Sequence, residues 1–395
     1  MIVMKKNGTK YPCGGARRHR GYTTKQVVTA LNIIKCKRVY QECPACLTPV
    51  HPADESVGIT SRYTVGLRRL AVKAGTMCSF DLAAEHLEEF CGIKLSDNTI
   101  RDLCQKEAVP MGRWQRTNPV AHEEFIAAKG DVEFTTDGTC VNTTDGWREM
   151  RVGIFSKRER GEGVHPDQWD DRKLPKPHVS VAFAGIENKE QFRHHWDGWA
   201  KRLGVDDELI SVLGDGAHWI WDAAALEFAK RDEVLDVYHG LQNISNCGKV
   251  LYGAETEAYD TWQDEATLEL LWNGYELIEK RLDKLDAEYQ TAEKQGTDVS
   301  SKQATDKSAE LEAIRKLRGY LSYHAQRLNY RERLAEGRSI GSGQVEGACK
   351  NLIGKRLKQT GAKWRVRRVN NMATLCAVLY GGQWKTYWNY ARALP

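Results

Sequence analysis

The apolar run Leu209-Ile210-Ser211-Val212-Leu213 stops at Gly214-Asp215-Gly216, and an aromatic-rich stretch, His218 to Phe228, follows with helical spacing. A short apolar run closed by glycines reads as a buried strand. A strand buried on both faces, with a helix after it, calls for an α/β architecture. In open α/β sheets ligands bind beyond the carboxyl ends of strands, and here that end carries Asp215. Glycine on either side lets a backbone or a metal come close to it. The plainer reading is a loop aspartate that caps the next helix. The functional reading gains if partner carboxylates lie elsewhere in the chain.

Similar elements surround this one. Val132 to Thr139 alternates into Asp137, Arg148 to Phe155 and His178 to Ala184 read as two more strands, and Phe192 to Leu203 as a helix. Val234 to His239 is a short fifth strand. Three strands in a meander, then α/β crossovers, resemble the ribonuclease H-like fold, so an α/β mixed sheet is expected over 130–245. The segment between the second and third strands, Lys157 to Pro177, is a charged loop containing Pro and Gly. From Gly240 to Gly337 the pattern is helical and polar, as for a helical hairpin inserted at 246–337, with a flexible tip expected from Gln290 to Lys307. The last part, 338–395, carries Glu346 in Gly341-Ser342-Gly343-Gln344-Val345-Glu346, then a basic segment, then an apolar stretch from Met372 to Trp388 expected to close as one helix.

The chain's start differs in character. Residues 1–60 read as a basic, Cys-containing β region with a hairpin over Lys25 to Val39. Cys43-Pro44-Ala45-Cys46 supplies two thiolates on a tight turn, Cys13 a third, and Cys36 or His51 a fourth, which could form a structural zinc site. Residues 61–120 read as a helix-turn-helix-like module. Its helical pattern breaks at Gly92, and Ser96 caps a second helix from Ile100 to Glu107 that would offer Asn98, Arg101 and Lys106 to DNA. Pro110 to Pro119 reads as a linker. The plain alternative is a helical pair with no role in DNA binding.

Charge is unevenly spread over the 395 residues, whose formal net charge is +5. Three acids stand among the many Lys and Arg of the first 75 residues, and from Gly341 onward ten basic residues face Glu346 alone. Basic ends around an acidic centre suggest a polyanion gripped at two places. The 11 cysteines are scattered and odd in number. That pattern and the lack of a signal-like start in Met1 to Lys10 point to a cytoplasmic protein with reduced thiols. No apolar run approaches the ~20 residues of a membrane span.

Asp137, Asp215 and Glu346 belong together in this reading. In a ribonuclease H-like sheet the first and fourth strands are neighbours, so the two aspartates would sit side by side, and a late helix can bring in the glutamate. Crowded carboxylates repel one another unless cations bind between them. Magnesium accepts such oxygens while keeping positions for phosphate and water. Two ions about 3.5–4 Å apart serve in-line displacement at phosphorus.

Asp137-Gly138-Thr139 with Gly146-Trp147-Arg148-Glu149, then Gly214-Asp215-Gly216-Ala217 with Trp219-Ile220-Trp221, then the Gly341–Glu346 motif with Lys350, and finally Arg356, Lys358, Thr360, Gly361 and Trp364 together resemble the DDE transposases of bacterial insertion sequences, in the ISKra group. The resemblance runs from about Tyr40 to Trp388. It implies that Asp137, Asp215 and Glu346 hold two Mg2+ or Mn2+ ions. It implies, too, that Asp236 and His239 form an auxiliary Asp-x-x-His signature beside the site, with Lys350 near the phosphate. The partners it implies are the terminal inverted repeats and target DNA, engaged by a homodimer or larger assembly. Arg17, Arg18, Arg20, Asn98 and Arg101, and the C-terminal Lys355, Arg356, Lys358, Lys363 and Arg365, would contact the DNA. The chain departs from the family at its start, where two cysteine pairs are usual. A nuclease that cuts without joining, and a transposase-derived DNA-binding protein without activity, are the alternatives.

Overall fold

The β-branched pairs Thr23-Thr24, Val27-Val28 and Ile33-Ile34 favour an extended, pleated backbone and open the structure with a β-hairpin. The computed structural model describes residues 13, 15, 17–52, 54, 62–294 and 301–393, with 289–294 and 301–307 described by backbone alone. Strand β1 (Arg18–Val28) pairs antiparallel with β2 (Ile33–Glu42), and β2 with the short β3 (Pro49–Val50). The hairpin is longer than the Lys25–Val39 pattern alone defines. The reading of Met1 to Lys10 lies outside the described residues.

Three helices follow, α1 (Val65–Met77), α2 (Phe80–Cys91) and α3 (Asp97–Thr117). The side chains of Thr64 and Ser96 accept from the backbone N–H groups of Leu67 and Thr99, which satisfies donors left open at the helix starts. Gly92, at φ 63°, ends α2 in the left-handed conformation that glycine adopts without strain. Helix α3 does not stop before Pro110 but runs through it to Thr117. An interior proline costs about 3 kcal/mol. Here the next turn buries Met111 and Trp114 and bonds Gln115 to Gln383 at 2.7 Å. Tertiary packing therefore overrides the local signal for a linker.

A short helix, α4 (Glu123–Ala127), leads into the second sheet: β4 (Asp131–Thr143), β5 (Gly146–Arg158), β6 (Val179–Gly185), α5 (Lys189–Leu203), β7 (Ile210–Gly214), α6 (His218–Glu227) and β8 (Arg231–Leu235). The strand order is β6-β5-β4-β7-β8. Strands β5 and β6 are antiparallel, while β4, β7 and β8 run parallel, so the sheet is mixed and the fold α/β. Phe134, Phe155, Trp196 and Phe228 meet in its core, with Phe134 at 4.7 Å from both Phe155 and Trp196. The expected strand Val234–His239 ends at Leu235. Asp236 caps α7 (Val237–Tyr252) instead, so His239 stands in the first turn of a helix.

Helices α8 (Glu257–Asn273), α9 (Tyr275–Lys294), α10 (Ser301–Tyr323) and α11 (Tyr330–Ala335) complete the helical insertion. The expected flexible tip is helical on both sides, up to Lys294 and from Ser301, where Lys, Glu, Gln and Ala favour helix. Its centre, 295–300, lies outside the described residues. Helix α12 (Gly343–Ala348) runs into a π-type turn, Cys349–Gly354, then α13 (Lys355–Leu357), α14 (Val366–Tyr380) and α15 (Trp384–Ala393). The closing segment breaks at Gly381-Gly382, with Gly382 at φ 78°, and is two helices.

The chain divides into two packed units that do not follow linear segments. One takes the residues up to Ala121, the hairpin tip Val141–Arg148 and the chain from Asn351 on; the other takes His122–Cys140 and Glu149–Lys350. In the first unit the C-terminal helices complete the N-terminal module. Gln383 donates to the Ala121 carbonyl at 2.7 Å, Tyr387 donates to Glu107 at 2.5 Å, and Arg68 pairs with Glu107 at 3.2 Å.

Candidate functional site

The parallel register of the second unit sets three carboxylates in a row. Thr135 lies opposite Leu213, and Leu213 opposite Val234. Asp137, Asp215 and Asp236 each come two residues later, Asp215 and Asp236 just past the ends of β7 and β8 and Asp137 within β4, which runs on to Thr143. Side chains two apart on a strand share a face. Sequence reasoning placed Asp137 and Asp215 side by side, and the register agrees. It did not place Asp236 in the same row.

Each aspartate is held differently. Asp137 accepts from the backbone N–H of Gly138 at 2.6 Å and from the Cys349 thiol. Burial raises its pKa, and the nearby charge of Asp215 adds to that. Asp215 accepts from the N–H of Ala217 at 3.0 Å, and its carbonyl accepts from the Tyr320 hydroxyl at 3.2 Å. Next to it, Gly216 has φ 98°, and a Cβ there would stand 2.5 Å from Tyr320 Oη and 3.1 Å from His324 Nε2. Only glycine fits this turn. Asp236 is fully buried and accepts from the His239 N–H at 3.1 Å, from the Ser342 N–H, and from the Ser342 hydroxyl at 2.7 Å. Burial alone would raise its pKa, but these bonds outweigh burial and hold it below the usual carboxylate value.

Glu346 reaches the row through an anchored turn. Ser342 is fixed to Asp236, and the Val237 N–H donates to the Ile340 carbonyl at 3.0 Å. Gln344 accepts from the Ser156 hydroxyl on β5 and donates to Ser180 on β6, both at 2.9 Å. Three residues after Glu346, Cys349 meets Asp137. The helix carrying the glutamate is thereby tied to both ends of the row.

His239 is the hub. Its Nδ1 lies 3.3 Å from Asp236 Oδ1. Its pKa is raised, first by Asp236, with burial opposing and the charges of Asp215 and Glu346 adding. Ligand atoms of Asp236, His239 and Glu346 all lie within 4.8 Å of one another. Asp137, Asp215 and Glu346 do not form such a group among the described residues. Lys350 Nζ stands 4.0 Å from Glu346 Oε2 on an exposed helical turn. Trp221 is buried, and Trp219 packs partly buried against the core.

A second cluster lies in the first unit. The Sγ of Cys13 is 3.4 Å from those of both Cys43 and Cys46, and the three sulfurs form a group able to hold a metal. Neither Cys36 nor His51 belongs to it. The ring Nδ1 of His51 faces the Val39 carbonyl at 3.2 Å instead.

The residues expected at DNA separate into two kinds. Arg18, Arg20, Asn98, Lys106, Lys355, Lys358, Lys363 and Arg365 are exposed, while Arg17 and Arg101 are half-buried. Arg356 is not a surface cation. It is 3% exposed, its guanidinium lies 4.4 Å from the Phe80 ring and 5.2 Å from the Trp364 ring, and its Nε donates to the Gly75 carbonyl at 2.7 Å. Its place in a basic run concealed a structural role. Ser342, Gln344, Cys349 and Tyr320 were missed as well. The first two lie in the Gly-rich turn, where the glycines drew attention away from the polar side chains.

No protein-family model matches the chain, and no curated protein matches it.

Proposed function

We propose that this chain is a transposase of the DDE class, with a ribonuclease H-like catalytic unit, that binds the ends of a mobile element and catalyses metal-dependent DNA cleavage and strand transfer. The observation that carries this reading is the register of β4, β7 and β8. It sets Asp137, Asp215 and Asp236 in one row, with Glu346 beside Asp236 and His239 at one end of it. The strand order, third-second-first-fourth-fifth, accords with it.

The donor set fits the ions the reading calls for. Carboxylate oxygens suit magnesium or manganese. Asp137, Asp215 and Glu346 would hold them, with Asp236 and His239 in support. When bound, a pair of such ions activates the attacking oxygen and stabilises the leaving one. The chain's own residues do the rest. The Ser342 and Gln344 anchors hold Glu346 against the row, and Cys349 orients the Asp137 carboxyl. The Asp236 carboxylate, 3.3 Å from His239 Nδ1, favours the charged ring, whose other nitrogen would meet a phosphate oxygen. The three thiols of Cys13, Cys43 and Cys46 suit a structural zinc ion. Exposed cations of the first unit would contact phosphates, and a homodimer or larger assembly would bring two element ends together.

The test uses DNA carrying the element's own ends. Glu346→Gln should bind these ends as the parent protein does and fail to cut them; cleavage at the parent rate would remove the assignment. Precut ends offered with a target plasmid then separate a transposase, which joins them, from a nuclease, which does not.

A further inference from the structure

The charged loop between β5 and β6 has no part in the function proposed above, yet it places an arginine without an ion-pair partner within electrostatic reach of Asp236. A 3-10 helix, Pro166–Asp171, ends at Arg172. The Nη1 of Arg172 is buried with no hydrogen-bond partner. Among the described residues no carboxylate comes within ion-pair distance of its guanidinium, although Asp170 and Asp236 are near enough to act on its charge. Burial lowers its pKa from the ordinary arginine value. Arg172 is half-buried, and holding its Nη1 dry without an acceptor is costly. The guanidinium lies 5.9 Å from the Trp169 ring, and that ring lies 5.9 Å from Tyr238. Tyr238 is 55% exposed and stands between Asp236 and His239 in the chain.

Asp137, Asp215, Asp236 and Glu346 together repel a phosphodiester, so some cation must draw a strand in. Lys350 faces Glu346. Arg172 has no such claim on it. A planar guanidinium with two aromatic rings is the set that recognises a nucleotide, with the fork for phosphate and the rings for a base face. We propose that Arg172, Trp169 and Tyr238 form a cradle for an unpaired nucleotide beside the scissile phosphate. Arg172 takes a phosphodiester oxygen, and the exposed face of Tyr238, backed by Trp169, stacks the base. The proposal rests on the reading that the site acts on DNA.

The test is fluorescence anisotropy of a short labelled single-stranded oligonucleotide with the full chain, in EDTA so that no divalent ion bridges protein and strand. Arg172→Ala should bind about tenfold more weakly, with the slope of log affinity against log salt reduced by about 0.7. Tyr238→Ala should lose about tenfold while Tyr238→Phe stays within about twofold, because stacking needs the ring and not the hydroxyl. Binding and salt slope unchanged in Arg172→Ala, or equal losses in the two Tyr238 variants, would overturn the cradle. If Arg172→Ala does not fold, as judged by circular dichroism, the Tyr238 pair and Arg172→Lys decide it. Arg172→Lys keeps the charge, so its salt slope should match the parent's while its affinity falls; parent-like affinity overturns the proposal. Wild-type protein that binds the oligonucleotide in this graded way but never cuts element ends removes the transposase reading and leaves the cradle standing.

Discussion

Asp236 and Ser342, 106 residues apart in the chain, share two hydrogen bonds: the serine N–H and hydroxyl both donate to one carboxylate oxygen, the hydroxyl at 2.7 Å. This link fixes the turn before Glu346 to the end of β8. Asp236→Ala would leave three buried donors unsatisfied, on Ser342 and on the His239 backbone. Leaving buried donors of this kind without an acceptor costs about 1–3 kcal/mol each. Urea unfolding should show it as a lower midpoint at an unchanged slope, and a change under about 1 kcal/mol would contradict the link.

The Asp236–His239 pair has a defined pH window. The Asp236 pKa lies below 3.8, so its contribution is complete above 3.8 and is lost as pH falls through the lowered folded value. The His239 pKa lies above 6.5, so its contribution is complete below 6.5 and is lost as pH rises through the raised folded value. In EDTA, stability from this pair should therefore peak between those values. An NMR titration of the His239 ring should report a pKa above 6.5 in the parent and a lower one in Asp236→Asn. No difference between the two would contradict the pairing.

Gly216→Ala forces a side chain into a left-handed turn already filled by Tyr320 and His324. A strained conformation of this kind costs about 1–3 kcal/mol, before the clash is counted. Tyr320→Phe removes only the bond to the Asp215 carbonyl and should cost about 1 kcal/mol. Thermal unfolding of the two variants should rank them in that order, and a Gly216→Ala protein as stable as the parent would contradict the turn described.

Arg356 and Lys358 are two residues apart and should behave in opposite ways. Arg356→Ala should lower stability by about 2–4 kcal/mol, through its lost stacking on Phe80 and Trp364 and the lost bond to Gly75. Lys358→Ala should stay within about 0.5 kcal/mol of the parent and weaken DNA binding at low salt. Calorimetry and anisotropy on the pair check both halves; a stable Arg356→Ala protein that has merely lost DNA affinity would reverse the assignment.

Cys46 should be the most reactive thiol of its cluster at neutral pH. The Thr48 hydroxyl and backbone hold its pKa at about 7, which leaves much of it as thiolate. Mass-spectrometric mapping after brief iodoacetamide treatment should find Cys46 labelled before Cys43, which is buried. Added zinc should protect Cys13, Cys43 and Cys46 together. Labelling of Cys46 that ignores zinc would argue against a three-thiol metal site.

The sheet and two of its acids were legible because their signals are local. An apolar run that stops at an acid between glycines marks a strand end, and Asp215 follows that rule at the end of β7; Asp137 is marked by alternation instead, and its strand runs on to Thr143 rather than ending there. The rest depends on residues distant in sequence. Pro110 looks like a helix end until Gln383, far along the chain, bonds to Gln115. Arg356 looks like one more DNA cation until Phe80 and Trp364 close over it. Asp236 looks like a strand residue because its capping role appears only once His239 turns back over it. No periodicity in the sequence reports the Tyr320–Asp215 contact, which spans 105 residues.

The interleaving of the two units bears on how the protein is made. Helices α1–α3 lean on α14 and α15, which are translated long after them. A nascent chain that has passed residue 350 holds every residue of the second unit, while the face that α14 and α15 cover on their partner helices is still bare. Packing of α1–α3 is thus deferred until α14 and α15 have been made, and a nonsense mutation just after residue 350 should spare the acids yet cripple the N-terminal half.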